Sequence, residues 1–544
     1  MSNRSSKSPP DASQCFLDVP PELCALIARF ASRPSLARLC SISHRFCFIF
    51  SPLLYANIVE PPLSSTQSLR LIKTLSTPQT LSWKSHPAVL VRHLGLTDSR
   101  TNTIKSSPRE SVDALMNMYR LMPDAERIRG SALRSLHWNF TAGVDELGQI
   151  LNARGHFPYL TELRITCDQT TTDFSFIQVE DLEVLGVGLE LEVLTQKESD
   201  LADSLCCLLG EALDSLPATS PSLHALHLKL KIPFSDRFPY LGLDDLNDTM
   251  NRIHLPVLTT LELSLDFYPL EVDEVDEALL PPMDFGPFLV AHPSLRNLTL
   301  AAHGTNLTKD IAFLPHLCSF TGSFNDAAIL CAGQRQLDQL VLNFVHRTYC
   351  EQPSFRALPL PPHASLTKLT VRAVDGIGEV VKMTNELSPS SLARLVSGFP
   401  NLTHLDVCLS GRISNYRKSL TRLTHLQSLR VQEYRKTSAG RWNLVTAVFP
   451  YAEYTNELHR ILPSLLQLTT VEFSVLGDNV DYGEGSDCCS CGGCSDYDNG
   501  GSPGYDYELM DSLPEMTVDY RFSVVRASSE VSVVLRDTRV HDAR

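Results

Sequence analysis

Four cysteines within seven residues, Cys488, Cys489, Cys491 and Cys494 in DCCSCGGC, are the densest set of soft metal ligands in this chain. Structural zinc wants four ligands at tetrahedral corners, usually two C-x-x-C pairs brought together from separate stretches. Here a Cys-Cys pair runs straight into a C-x-x-C. That is too tight for such a site, and no bound metal is expected. Around them, residues 477–508 are rich in Gly, Asp and Ser and almost without aliphatic residues, which reads as a disordered acidic loop. The chain has no H-E-x-x-H, no G-x-S-x-G, no Walker A and no well-separated C-x-x-C pair. Gly186-Val187-Gly188 lacks the third glycine of a dinucleotide loop. His224, His292 and His425 fall at turns before strands, where a solvated or capping imidazole is expected rather than a ligand. The chemistry expected of this chain is binding, with no catalytic residue and no cofactor.

Composition narrows what it could bind. The 544 residues carry a net charge of −15, and no basic run is longer than three residues, which excludes a phosphate-binding footprint and so nucleic acid. A hydrophobic content of 43% is that of a folded protein. No stretch approaches the roughly 18 uninterrupted apolar residues needed to span a bilayer. Residues 1–15, beginning MSNRSSKSPPDASQ, are polar and read as a disordered N-terminus rather than a signal peptide. Fifteen cysteines without regular pairing fit reduced thiols. The expected location is therefore cytoplasmic or nuclear, with no membrane partner.

The elements that position any binding residues come from one recurring phrase, L-x-x-L-x-[LIVFW], often preceded by proline. It is seen in FPYLTELRI (Leu160, Leu163, Ile165), PSLHALHL (Leu223, Leu226, Leu228) and FPNLTHLDV (Leu402, Leu405, Val407). Successive first leucines from Leu160 to Leu468 are 22, 41, 35, 37, 22, 20, 29, 36, 24 and 42 residues apart. The short intervals match leucine-rich repeats, and the long ones imply inserted helices or loops. Each copy offers a short strand with alternate residues inward. None can bury its apolar side alone, so stacked neighbours must make a continuous core. Residues 85–476 are thus expected to form an irregular leucine-rich-repeat-like solenoid of parallel strands with helical returns, at 111–122, 201–216 and 389–399 among others. Residues 509–544 should add two capping strands. Acidic runs at 244–248 and 271–277 read as solvated loops.

Residues 16–60 are different. Pro20 and Pro21 stand at a helix's first turn, where a missing N–H costs nothing. Leu23, Ile27 and Phe30 share one helical face. Ser32-Arg33-Pro34 ends that helix, Ser35 is positioned to cap a second and Ser43 a third. So few residues bury little on their own. The run Val19-Pro20-Pro21-Glu22-Leu23, with Ile27, Leu36, Leu39, Ile42-Ser43, Phe46 and Leu53-Leu54-Tyr55, resembles an F-box. Val19 stands where that pattern has leucine, and Phe46-Cys47-Phe48 lacks its basic residue. Residues 61–84 would be a helical linker. The same helices could instead cap the solenoid.

The resemblance implies an α/β chain in which a three-helix F-box precedes the solenoid. It implies the non-catalytic substrate receptor of an SCF-type ubiquitin ligase. Its F-box would dock on a Skp-type adaptor, and through it a cullin, by Pro20, Pro21, Leu23, Ile27, Leu36, Leu39, Ile42 and Phe46. The repeats would hold an unidentified protein target. Residues alternating with inward leucines then form the target face, with Arg164, Lys229, Glu262, Arg372, Asp406 and Arg430 foremost. A repeat scaffold with no part in ubiquitination is the alternative.

Overall fold

All eleven first leucines from Leu160 to Leu468 are buried, none more than 3% exposed. Each ends the approach to a strand whose alternate residues also point inward; in Glu162–Asp168 these are Leu163, Ile165 and Cys167. This two-residue period dictates the architecture. In a computed structural model of the chain, the described residues are 20–28, 30–59, 70–71, 73–75, 87–97, 133–139, 143–153, 157–191, 196–234, 242–269, 284–302, 307, 314–333, 336–346, 360–375, 387–409, 412–435, 451–477, 515–526 and 531–543. The expected N-terminal tail, most of the linker, the 111–122 helix, the acidic run 271–277 and the Cys488–Cys494 cluster lie outside them. Sixteen strands, hydrogen-bonded in sequence order, make one mostly parallel α/β sheet. Among the described residues, the pairings from Asn57–Ile58 through Ala225–Phe234 and from Asn297–Ala302 through Thr470–Gly477 are parallel.

The chain divides into two compact units, Met1–Glu262 with Pro269–Glu271, and Leu263–Tyr268 with Val272–Arg544. The first opens with three helices: α1 (Pro21–Ala28), α2 (Arg33–Ile42) and α3 (His44–Ala56). The cap of α2 is Ser32, not the expected Ser35. Its hydroxyl accepts from the Ser35 N–H at 3.4 Å, and Pro34 occupies the first turn it tolerates. Ser43 caps α3 as expected, accepting from the Phe46 N–H at 3.2 Å. Cys24, Ala28, Leu36, Phe46 and Phe50 form the small core, with the two rings edge-on at 5.5 Å.

The strands begin sooner than residue 85. The chain leaves α3 directly into β1 (Asn57–Ile58), which pairs with β2 (His93–Thr97). There follow β3 (Ser135–Asn139), β4 (Glu162–Asp168), β5 (Val184–Glu190), β6 (Ala225–Phe234) and β7 (Thr260–Pro269), which crosses between the units. Helical returns include Gln196–Asp214. The acidic run 244–248 is helical rather than a loop. It lies near the start of Gly242–Arg252, where Asp244 and Asp245 face the positive end of the helix dipole.

The second unit holds β8 (Asn297–Ala302), β9 (Ser319–Gly322), β10 (Gln339–His346), β11 (Lys368–Asp375), β12 (His404–Leu409), β13 (Ser428–Arg435) and β14 (Thr470–Gly477). The expected return at 389–399 is the helix Pro389–Ser397, capped by Ser388. His292 is buried rather than solvated. Its ring lies 4.0 Å from Phe288 and its Nδ1 is 2.6 Å from the Phe288 carbonyl, the capping role expected of it. Two long antiparallel strands, β15 (Glu515–Arg526) and β16 (Val531–Ala543), finish the sheet. Tyr520 and Phe522 of β15 close the core beside Tyr454 and Phe473. No helix among the described residues is long and apolar enough to cross a membrane.

Candidate binding surfaces

Two surfaces carry the residues singled out from sequence. On the helices, Leu23 is 51% exposed and Ile42 63%, with Ile27 and Pro20 also exposed. Pro21 begins α1. Leu39 is partly buried against the core. Leu36 and Phe46, expected among the docking residues, are instead buried in that core and support the surface from beneath. Leu26, Phe30 and Phe48 were not among the expected contacts, yet they are exposed too, Phe30 by 87% and Phe48 by 84%. The sequence signal for Phe48 was its place beside Phe46 without the basic residue of the motif. A core of five buried residues cannot absorb these groups as well. Each large aliphatic or aromatic one left in water forgoes roughly 1.5–3 kcal/mol.

The second surface is the strand face of the first unit. Register puts Gly95, His137, Arg164, Gly186 and His227 in one row across β2 to β6. A parallel row holds Thr97, Asn139, Thr166, Gly188 and Lys229. All of these outward positions except Thr97 line a cavity of about 350 Å³ together with Glu262, so that Arg164, Lys229 and Glu262 meet in one place. The glycines on β5 form its floor. Polar side chains order the walls. Glu162 Oε1 accepts from Arg164 Nε at 3.0 Å and lies 3.0 Å from His137 Nε2. Glu262 Oε2 is 2.7 Å from His227 Nδ1, and Thr166 Oγ1 donates to Asn139 Oδ1 at 2.6 Å. The hydrogen bond with His137, outweighing the opposing effect of burial, lowers the Glu162 carboxyl to about 2. His227 likewise lowers that of Glu262.

In the second unit the outward row reads Thr370, Asp406, Arg430, Glu472 and Arg521 across β11 to β15. Arg430 sits 3.9 Å from Asp406 and 3.8 Å from Glu472, and Arg521 closes on Glu472 at 2.8 Å. The charges alternate in sign along the row and neutralise one another, although the Arg430 Nε makes no hydrogen bond among the described residues. Arg372 lies two residues beyond Thr370, in register with Asn343, so it is off that row. Its side chain is outside the described residues. The residues missed from sequence are Glu162 and the two floor glycines. The glycines could have been found by noting that a strand phrase carried glycine at both outward positions.

No cluster of His, Cys, Asp and Glu able to hold a metal ion occurs among the described residues. Compared with protein-family models and with curated proteins, the chain matches none.

Proposed function

We propose that this protein is the non-catalytic substrate-recognition subunit of an SCF (Skp–cullin–F-box) ubiquitin ligase. In this reading α1–α3 are the F-box and dock on a Skp-type adaptor, while the strand face holds a protein target. The observation that carries it is the exposure of Leu23, Ile27 and Ile42 on a helical unit whose own core has five buried residues. Such a surface gains by being covered. The receptor would act by position, raising the effective concentration of a target lysine near a ubiquitin-conjugating enzyme. Reduced cysteines and an acidic chain suit work in the cytoplasm or nucleus.

Replacing Leu23 and Ile27 with Asp tests this. Both are exposed, so the fold should persist while co-purification with the adaptor is lost. Adaptor capture at wild-type levels would refute the docking assignment. The alternative, a repeat scaffold outside ubiquitination, draws on one feature. Arg33 Nη2 donates to the Asn57 carbonyl at 2.7 Å and the Arg92 N–H to that of Ala56 at 3.0 Å, tying α2 and α3 to the first strands as a cap would. A scaffold would capture its target but no adaptor.

A further inference from the structure

The hydrogen-bond inventory of the β2–β6 cavity decides what it can take. Both carboxylates are engaged: Glu162 with His137 and Arg164, Glu262 with His227. Arg164 uses only its Nε there, leaving two terminal amino groups. Lys229 is exposed and forms no ion pair among the described residues. Asn139 spends its carbonyl oxygen on Thr166, leaving its amide donors. Glu262 keeps one oxygen unspent and feels the charges of Arg164 and Lys229, but the two cations and the Asn139 amide outnumber it, so the complement is a small anion.

Spacing says how that anion is held. Arg164 and Lys229 stand on β4 and β6, flanking a β5 that presents Gly186 and Gly188 in place of side chains. Arg164 is in the Gly186 row and Lys229 in the Gly188 row, so the two are offset by two residues along the sheet. Their backbones stand two strand spacings apart, roughly 9–10 Å across β5, and the Arg164 stem leans into that span, where a carboxylate can take charge-assisted bonds from both cations. The two glycines answer to different demands. A Cβ on Gly186 would lie 3.0 Å from Arg164 Cγ, so this glycine lets the arginine stem lie over β5. A Cβ on Gly188 would meet nothing closer than Thr166 Oγ1 at 3.5 Å, an ordinary contact. Packing does not require glycine at 188, and strands disfavour it. With no side chain there, another backbone has room to approach the strand closely.

We propose that this cavity seats an aspartate or glutamate side chain of an extended segment of the target protein. The carboxylate is clamped between Arg164 and Lys229, and the segment's backbone crosses Gly188. The inference rests on the strand face being the target surface and is independent of what α1–α3 bind.

The test is to pan the full chain against a random nine-residue peptide library displayed on phage. Recovered peptides should share Asp or Glu at one position. A synthetic peptide of the commonest sequence should lose at least about tenfold in affinity when that residue becomes Asn or Gln. The double variant Arg164→Gln, Lys229→Gln should bind the parent peptide weaker by a similar factor. Gly188→Val, which the spacing allows to fold, should abolish binding with an unchanged circular dichroism spectrum. Recovery of no peptide, peptides without a shared acidic position, or undiminished affinity in the double variant would overturn the proposal. So would a phosphoserine version that binds where the carboxylate version does not. The Leu23→Asp, Ile27→Asp variant should bind the peptide normally, so a failed adaptor assay and a failed peptide assay point to different errors.

Discussion

Glu162 is where residue-scale physics is most exposed to measurement. Its carboxylate joins β3 to β4 through His137 and holds Arg164 over the glycine floor. Because its folded-state value is lowered to about 2, it adds stability at pH values above the ordinary carboxylate range, and that contribution fades as pH falls toward 2. Glu162→Gln should therefore melt below the wild type at pH 7, with the gap closing on acidification. Thermal midpoints at pH 7, 4 and 2.5 would show it, and a gap independent of pH would mean the carboxylate's charge is not what matters. Arg164, Lys229 and Glu262 were legible in sequence because outward strand positions follow from a period of two. That they converge was not legible, since convergence depends on strand register and on two missing side chains, Gly186 and Gly188. As a motif, Gly186-Val187-Gly188 lacks the third glycine of a dinucleotide loop, which says nothing of a cavity floor.

Among the elements, α1–α3 are the most vulnerable. Phe46 is fully buried in a core so small that no neighbour can compensate for its loss. Phe46→Ala should cost about 3–5 kcal/mol, enough to open these helices while β4–β6 persist. Hydrogen exchange would detect it as protection lost from residues 21–56 and kept in 162–190; uniform loss would mean the helices and sheet unfold together. The helix positions were readable from proline and serine, because caps and first turns obey local rules. Ser32 and Ser35 are a useful exception. Both can cap, since Pro34 is tolerated in the first turn after Ser32 and equally just before a helix capped by Ser35, so local rules alone did not choose. The structure places α2 from Arg33 with Pro34 in its first turn, which gives Ser32 the cap. The exposure of Phe30 and Phe48 escaped for a different reason: an apolar residue on a helix says that something covers it, not whether that is the chain itself.

For the whole molecule, the leucine phrase predicted parallel strands with helical returns, and the sheet has them. The phrase could not reveal that pairing starts at Asn57, because two residues of β1 are too few to show a period. The order of the strands has a temporal meaning as well. Each resolved strand pairs with its neighbour in sequence, so no pairing seen here waits for a distant segment to be synthesised. At about 5–20 residues per second, translating 544 residues takes on the order of half a minute to two minutes. Through most of that time the growing end presents an open strand edge with its hydrogen-bonding groups unmet. Only the last 30 residues, 515–544, supply the antiparallel pair β15–β16. Ribosome-bound chains stopped after residue 300 should already protect β2–β6 from protease yet recruit chaperones that released full-length protein does not. If those stalled chains are digested throughout, assembly waits for the C-terminus. If they are protected, the helices bearing Leu23 and Ile27 reach the cell formed, ahead of the strands that finish the sheet, and a partner for them can bind while the protein is still being made.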